Sequence, residues 1–144
     1  MLQKILVPTD GSELSLRAMK GAVELATRLK SEIVGVTVVE PYAYASLSEY
    51  RPETIAEYEQ RADQLARERL AVLKDMAEAA GVAVQTTVAR SFSPFEAIIE
   101  EARRSGCDSI FMASHGRRGL SAVLLGSETQ KVLTHSQVPV MVFR

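Results

Sequence analysis

Residues 109–133 read SIFMASHGRRGLSAVLLGSETQKVL: a short apolar run, a loop with three glycines and a helical pattern. The apolar run from Ser109 predicts a buried strand, and the segment from Ser127 predicts the start of a helix. Proteins bind phosphate with this arrangement, because glycines let backbone N–H groups approach the anion and a helix N-terminus carries partial positive charge. The stretch therefore predicts an α/β fold with a phosphate-binding loop.

The same alternation of strands and helices extends over the whole chain. Predicted strands lie at residues 5–7, 33–39, 82–88, 109–113 and 138–143, and predicted helices at 12–30, 53–80, 93–106 and 128–135. The strands are short, apolar and β-branched, as in sheets covered on both faces. Alternation implies right-handed crossovers and parallel strands. The prediction is a doubly wound α/β fold, a five-stranded parallel sheet with helices on both faces, in one domain over residues 1–144.

Several helix ends carry local signals. Ser93 is predicted to cap the third helix, with Pro94 at its first position and Glu96 completing a capping box. Ser127 is the residue type that caps the last helix. Gly81 is expected to close the long second helix.

The long helix carries charges of both signs. Glu57 with Arg61, and Asp63 with Arg67, have the i,i+4 spacing that places opposite charges one turn apart. This pattern favours a solvated face. The loop before the helix contains Tyr42, Tyr44 and Tyr50, which we expect to pack on that helix rather than to cover a ligand.

The composition excludes several classes of function. With 144 residues, 47% hydrophobic content, 24% charged residues and a net charge of −1, the chain has no overall attraction for nucleic acid or an anionic membrane. The lone Cys107 forms no internal disulfide or metal cluster, which suits a reducing compartment. Pro8 comes too early for a signal peptide, and no apolar run approaches ~20 residues. We therefore expect a cytoplasmic protein with neither a nucleic-acid nor a membrane partner.

A ligand site is predicted at the carboxyl edge of the sheet. In open parallel sheets, ligands bind where the winding direction reverses. The loop after the first strand contains Asp10, whose carboxylate can accept hydrogen bonds from a ribose or a base. If the first and fourth strands are neighbours, this loop faces the glycine loop. The patterns GxxxxGK[ST] and GxGxxG are absent, so the glycines alone fit tight turns equally well.

Four segments together resemble the universal stress protein family: ILVPTDGS at 5–12, ASHG at 113–116, LLGS at 124–127 and VPV at 138–140. The resemblance covers the whole chain. It implies the strand order 3-2-1-4-5 and a homodimer through the last strand, from Val138 to Phe143. Its ATP-binding branch has the motif Gly-x2-Gly-x9-Gly-[Ser/Thr], so it implies ATP as the ligand, with any Mg²⁺ carried by the phosphates.

The motif fits this chain with one departure. Gly116 is the second glycine, nine residues separate it from Gly126, and Ser127 is the hydroxyl residue. Ala113 occupies the first glycine position. Alanine keeps the backbone N–H, and it costs about 1–2 kcal/mol only if the site needs a left-handed backbone. Binding would then weaken about tenfold.

The resemblance assigns ten positions to the nucleotide: Pro8, Thr9, Asp10, Val38, Met112, Ala113, Gly116, Gly126, Ser127 and Glu128. Asp10 would bond the adenosine, and the Val38 backbone would meet the adenine edge. The two glycines, Ser127 and the backbone of Glu128 would hold the phosphates. Arg117 and Arg118, between the glycines, suit phosphate neutralisation or simple exposure equally.

Each assignment has a simpler structural alternative. Asp10 is also a common turn and helix-entry residue, Val38 suits a core, and Ser127 caps a helix without a ligand. The carboxylate of Glu128 complements the helix dipole, and it would repel phosphate unless it points away.

The sequence predicts no catalytic residue and no metal site. His115 has no carboxylate close in sequence to orient it, and no metal-ligand spacing is present. The leading hypothesis is an ATP-binding regulatory, stress-response module without strong turnover. One alternative, motivated by Ala113, is a nucleotide-independent dimeric interaction protein of the same family. The other is a slow ATPase, which the missing phosphate-binding lysine disfavours. The protein partner and the stress signal are not specified.

Overall fold

The computed structural model describes residues 1–42, 53–116 and 124–144. The strands are β1 Lys4–Pro8, β2 Glu32–Val39, β3 Val84–Arg90, β4 Ser109–Ala113 and β5 Val140–Phe143. The helices are α1 Glu13–Leu29, α2 Ile55–Ala79, α3 Pro94–Arg104 and α4 Ser127–His135. All nine predicted elements are present, and none of their ends is displaced by more than two residues.

The five strands form one parallel sheet in the order β3-β2-β1-β4-β5. This confirms the predicted order. Ile5 of β1 lies opposite Ile33 of β2 on one side and Ser109 of β4 on the other. Since β1 and β4 are neighbours, the winding direction reverses between them.

The central strand β1 supplies both hydrophobic cores. Ile5 and Val7 pack on the face covered by α1 and α2, whereas Leu6 packs on the face covered by α3 and α4. All three side chains are 0% exposed. Burying each one contributes about 1.5–3 kcal/mol, so this short strand anchors both faces. The predicted doubly wound arrangement is confirmed.

Glu57 and Asp63 of α2 bond to partners other than the arginines at i,i+4 spacing. Arg61 donates to Glu53 at 2.8 Å rather than to Glu57, and Arg90 of β3 donates to Asp63 at 2.6 Å. Glu57 is held instead by the N-cap residue Thr54 in a capping box. The Glu57 carboxylate therefore bonds to the helix cap rather than to Arg61, and the Asp63 carboxylate bonds to a neighbouring strand rather than to Arg67.

The first turns of α2 contact the carboxyl edge of the sheet. Buried side chains in α2 begin only at Ala66. Before it, the Tyr58 hydroxyl donates to the Glu40 carbonyl at 2.9 Å, and its ring packs edge-on against Tyr42 with centroids 5.4 Å apart. The predicted packing of Tyr42 is confirmed, while Tyr44 and Tyr50 lie outside the described residues. Within the described ranges, no helix combines the length and apolarity needed to cross a lipid bilayer.

Candidate functional site

The loop after β1 is tied to β2 through Thr9. This buried residue donates its N–H to the Val36 carbonyl at 2.9 Å, and its own carbonyl accepts from the Thr37 hydroxyl at 3.0 Å. Its hydroxyl also lies 3.1 Å from that of Ser15 in α1. Pro8 ends β1 just before this network. The backbone that precedes Asp10 is therefore fixed on two sides.

Asp10 makes a hydrogen bond within its own turn and also faces the loop after β4. Its Oδ1 accepts from the Ser12 N–H at 3.0 Å, within a turn that Gly11 continues with a φ of +77°. Its Oδ2 faces Gly116, because a Cβ on that glycine would lie only 2.3 Å from this oxygen. The loops after β1 and β4 therefore meet across the sheet edge, as predicted.

Ala113 has an unstrained backbone. Among the described residues other than glycine, positive φ angles occur at Leu2 and Lys30. Ala113 ends β4 beside Met112, opposite Phe143 of β5, and its carbonyl accepts from the Thr129 hydroxyl at 3.1 Å. The left-handed penalty considered for alanine at this motif position does not arise.

The N-terminus of α4 is built differently from the prediction. Gly126, not Ser127, is the N-cap residue, and no side chain among the described residues caps this end. Gly126 donates its N–H to the Ser114 carbonyl at 2.7 Å, and a Cβ there would lie 3.0 Å from the α-carbon of His115. This close approach places the chain before α4 directly on the chain after β4. The first-turn N–H groups, including that of Ser127, lie at the carboxyl edge without a side-chain cap.

The side chain of Glu128 is turned towards α3. Its Oε2 accepts from the Phe95 N–H at 2.9 Å, and its Oε1 lies 3.1 Å from the Lys131 ammonium group. This orientation meets the condition under which Glu128 is compatible with a phosphate. It also corrects the predicted capping box, because Ser93 makes no side-chain cap hydrogen bond and α3 is capped by Glu128 instead.

The structure also places two further residues considered in the sequence analysis, Val38 and His115. Val38 is half-buried in β2, opposite Ala89 and one residue before the strand ends at the same edge. His115 pairs its Nδ1 with the Ser114 hydroxyl at 3.2 Å. Arg117, Arg118 and Gly119 lie outside the described residues.

Cys107 is a structural residue. It is buried, and burial raises the pKa of its thiol to about 11. At neutral pH this thiol is protonated and therefore unreactive. Among the described residues, no group of three His, Cys, Asp or Glu side chains could hold a metal ion.

Sequence reasoning missed two residues at this edge. The side chain of Arg69, from α2, lies against Gly11, with its Nε 2.7 Å from where a Cβ would stand. Thr129 supplies the hydroxyl bonded to the Ala113 carbonyl. Arg69 is distant from Gly11 in the chain, so no local pattern could have identified its contact. Thr129 lies at the third position of α4, and nothing in the sequence distinguishes it from an ordinary helix residue.

Comparison with known proteins matches the chain at its full length. A model of the universal stress protein family covers residues 1–144. Universal stress protein MJ0531 of Methanocaldococcus jannaschii is 34% identical over 145 residues, spanning 100% of this chain and 83% of that protein.

Solved structures share the fold. Hypothetical protein MJ0577, also from Methanocaldococcus jannaschii, superposes with a TM-score of 0.84 at 31% identity, covering 99% of this chain and 96% of that one. A universal stress protein in complex with cAMP superposes with a TM-score of 0.73 at 25% identity, covering 99% and 97%. On sequence, length and strand order together, this chain belongs to the universal stress protein family.

Proposed function

We propose that this chain is an ATP-binding regulatory module, without strong catalytic turnover, that takes the nucleotide at the sheet edge between β1 and β4. The observation that carries the proposal is the contact of the Asp10 carboxylate with Gly116, beside the uncapped N-terminus of α4. An acceptor for adenosine and a set of N–H donors for phosphate thus lie at one edge. The cAMP bound by a neighbour of the same fold supports a nucleotide as the ligand class.

Two glycines shape this edge of the sheet. Gly116 allows the Asp10 carboxylate to lie close to its backbone, because a Cβ there would be only 2.3 Å from Asp10 Oδ2, and Gly126 brings no side-chain acceptor to the first turn of α4. In this proposal Asp10 bonds the adenosine, while Ser127 and the backbone of Glu128 hold the phosphates. Pro8, Thr9, Val38, Met112 and Ala113 line the remainder. Any Mg²⁺ would arrive on the phosphates.

The direct test is calorimetric titration of the protein with MgATP. We expect micromolar affinity in the wild type and a loss of at least about tenfold in Gly116→Ala, since the new methyl group displaces the Asp10 carboxylate. Asp10→Asn should also weaken binding, by removing a charged acceptor. The matched control is Asp63→Asn, which alters a carboxylate of α2 that is ion-paired with Arg90 and should leave the affinity unchanged.

Two outcomes would count against the proposal. One is the absence of binding by the wild type at millimolar ATP. The other is equal affinity in Gly116→Ala and wild type with an unchanged melting temperature. A steady-state assay of phosphate release separates this binding module from an ATPase, because the module should release phosphate slowly or not at all.

A homodimer through residues 138–143 is a further part of the proposal. β5 is the edge strand next to β4, and its four residues, Val140–Phe143, are apolar and only half-buried. An edge strand of this kind can pair with its own copy across a two-fold axis. A dimer that binds no ATP would favour the nucleotide-independent interaction protein. A monomeric mass at micromolar concentration would count against the dimer. A cytoplasmic location also remains a prediction.

A further inference from the structure

Glu128 lies in the first turn of the helix that we assign to the phosphates, but its side chain caps a different helix. An acidic residue at this position usually interacts with its own helix end. Here its Oε2 accepts from the backbone N–H of Phe95, 33 residues away in sequence, at 2.9 Å. The first turns of α3 and α4 are thus joined by one charged hydrogen bond.

The helix α3 needs this bond because its own sequence does not close its N-terminus. Ser93 makes no side-chain cap hydrogen bond, and Pro94 has no N–H. Phe95 is therefore the first residue of the helix with an N–H to satisfy. A donor left without an acceptor in a partly buried position is destabilising, so Glu128 fills a defined gap.

Lys131 holds the carboxylate in this orientation. Its ammonium group is 3.1 Å from Glu128 Oε1 and 5.5 Å from the centre of the Phe95 ring. Glu128, Lys131 and Phe95 thus contact one another, and the lysine contacts both the carboxylate and the aromatic ring. The negative charge of Glu128 is directed towards Lys131 and Phe95.

We infer that Glu128 is a positioning residue for the phosphate-binding end of α4. Its carboxylate anchors the first turn of α4 to the first turn of α3 and keeps its own charge turned away from the phosphates. This inference rests on the proposed function. It assigns to the side chain of Glu128 a role separate from that of its backbone, which would touch the nucleotide.

The test compares Glu128→Gln with Glu128→Ala in titrations with ATP and with adenosine, together with amide hydrogen exchange at Phe95. The glutamine keeps an acceptor for Phe95, so we expect slow exchange and ATP affinity at or above that of the wild type. The alanine removes the acceptor, and we expect Phe95 exchange about tenfold faster and ATP affinity about fivefold lower. Adenosine has no phosphate, so its affinity should be the same in both variants.

Glu96→Ala is the matched control, because Glu96 is an exposed acid in the first turn of α3 and is not the residue that caps Phe95. It should leave both affinities and the Phe95 exchange rate unchanged. Equal ATP affinities in Glu128→Gln and Glu128→Ala would overturn the positioning role, as would an equal loss of adenosine affinity in the alanine variant. A wild type that binds adenosine but not ATP would also overturn it. If the wild type binds neither ATP nor adenosine, the proposed function is wrong, and Glu128 then has no phosphates to position.

Discussion

The helices on the two faces of the sheet close their N-termini in different ways. On one face, Ser12 caps α1 by accepting from the Ser15 N–H at 3.1 Å, and Thr54 with Glu57 closes α2 in a reciprocal capping box. On the other face, neither Ser93 of α3 nor Gly126 of α4 provides a side-chain cap. The caps of α1 and α2 come from residues at their own N-termini, whereas the N-cap residues of α3 and α4 provide none.

This difference distinguishes the helix N-termini that are capped by side chains from the N-terminus at which we propose that a ligand binds. The N-terminus of α3 receives its acceptor from Glu128. The N-terminus of α4 receives no side-chain acceptor from the described residues, and Gly126 lies against His115, the residue before Gly116. Since uncapped N–H groups and the helix dipole favour an anion, α4 is the helix at which a phosphate would complete the missing bonds.

The largest expected effect comes from giving α4 a cap of its own. In Gly126→Ser the hydroxyl can accept from the first-turn N–H groups, whereas Gly126→Ala adds the same Cβ without an acceptor. We expect the serine variant to be about 1 kcal/mol more stable than the alanine variant without nucleotide, and to bind ATP about tenfold more weakly. Thermal unfolding and calorimetry measure the two quantities. Equal ATP affinities would mean that the phosphates do not use this helix end.

A smaller effect is expected from removing the cap of α2. Thr54→Ala removes the hydroxyl that accepts from the Glu57 N–H and donates to the Glu57 carboxylate, and should lower the free energy of unfolding by about 1 kcal/mol. The matched variant Ser93→Ala should change stability little, because the Ser93 side chain caps nothing. Urea unfolding compares them. Similar losses in both variants would contradict the distinction between self-capped and externally capped helices.

The smallest effect is a shift in the pKa of Glu57. The Thr54 N–H and hydroxyl donate to its carboxylate, each at 2.8 Å, and these bonds lower the pKa of Glu57. The charged form is favoured in the folded state, so the stabilisation is present above the ordinary pKa and is lost as pH falls through the lowered value. An NMR titration should show the pKa of Glu57 rising only part of the way towards normal in Thr54→Ala, because this variant loses the hydroxyl donor and keeps the backbone N–H. An unchanged pKa in that variant would argue against the hydrogen bond from the Thr54 hydroxyl.

Strand periodicity and family resemblance were sufficient for the fold. Ile5, Leu6 and Val7 form a continuous apolar run because each faces one of two buried layers, and such runs mark central parallel strands. The pairing of Asp10 with the glycine loop also followed from the topology, since parallel strands place their carboxyl ends at one edge. These features are either local or fixed by the order of the elements.

Hydrogen-bond partners were less predictable from local patterns. Ser93 and Glu96 match the sequence of a capping box, yet the acceptor of α3 is Glu128 from another helix. Asp63 has the correct spacing to pair with Arg67, but Arg90 of β3 binds it. A hydrogen-bonding group from a neighbouring helix or strand competes with the group nearby in sequence. Sequence spacing does not show how close that neighbouring group lies in the fold.

The sequence by itself determined the alternating α/β architecture through its hydrophobic period, and its resemblance to the family implied the strand order that positions the crevice and the two glycines at its edge. Tertiary structure alone decided that Asp10 touches Gly116, that Ala113 keeps an ordinary backbone and that Glu128 caps α3. The physical reason is the sequence separation of the residues involved. A hydrophobic pattern lies within one segment, whereas a contact across the sheet edge depends on how separate segments pack.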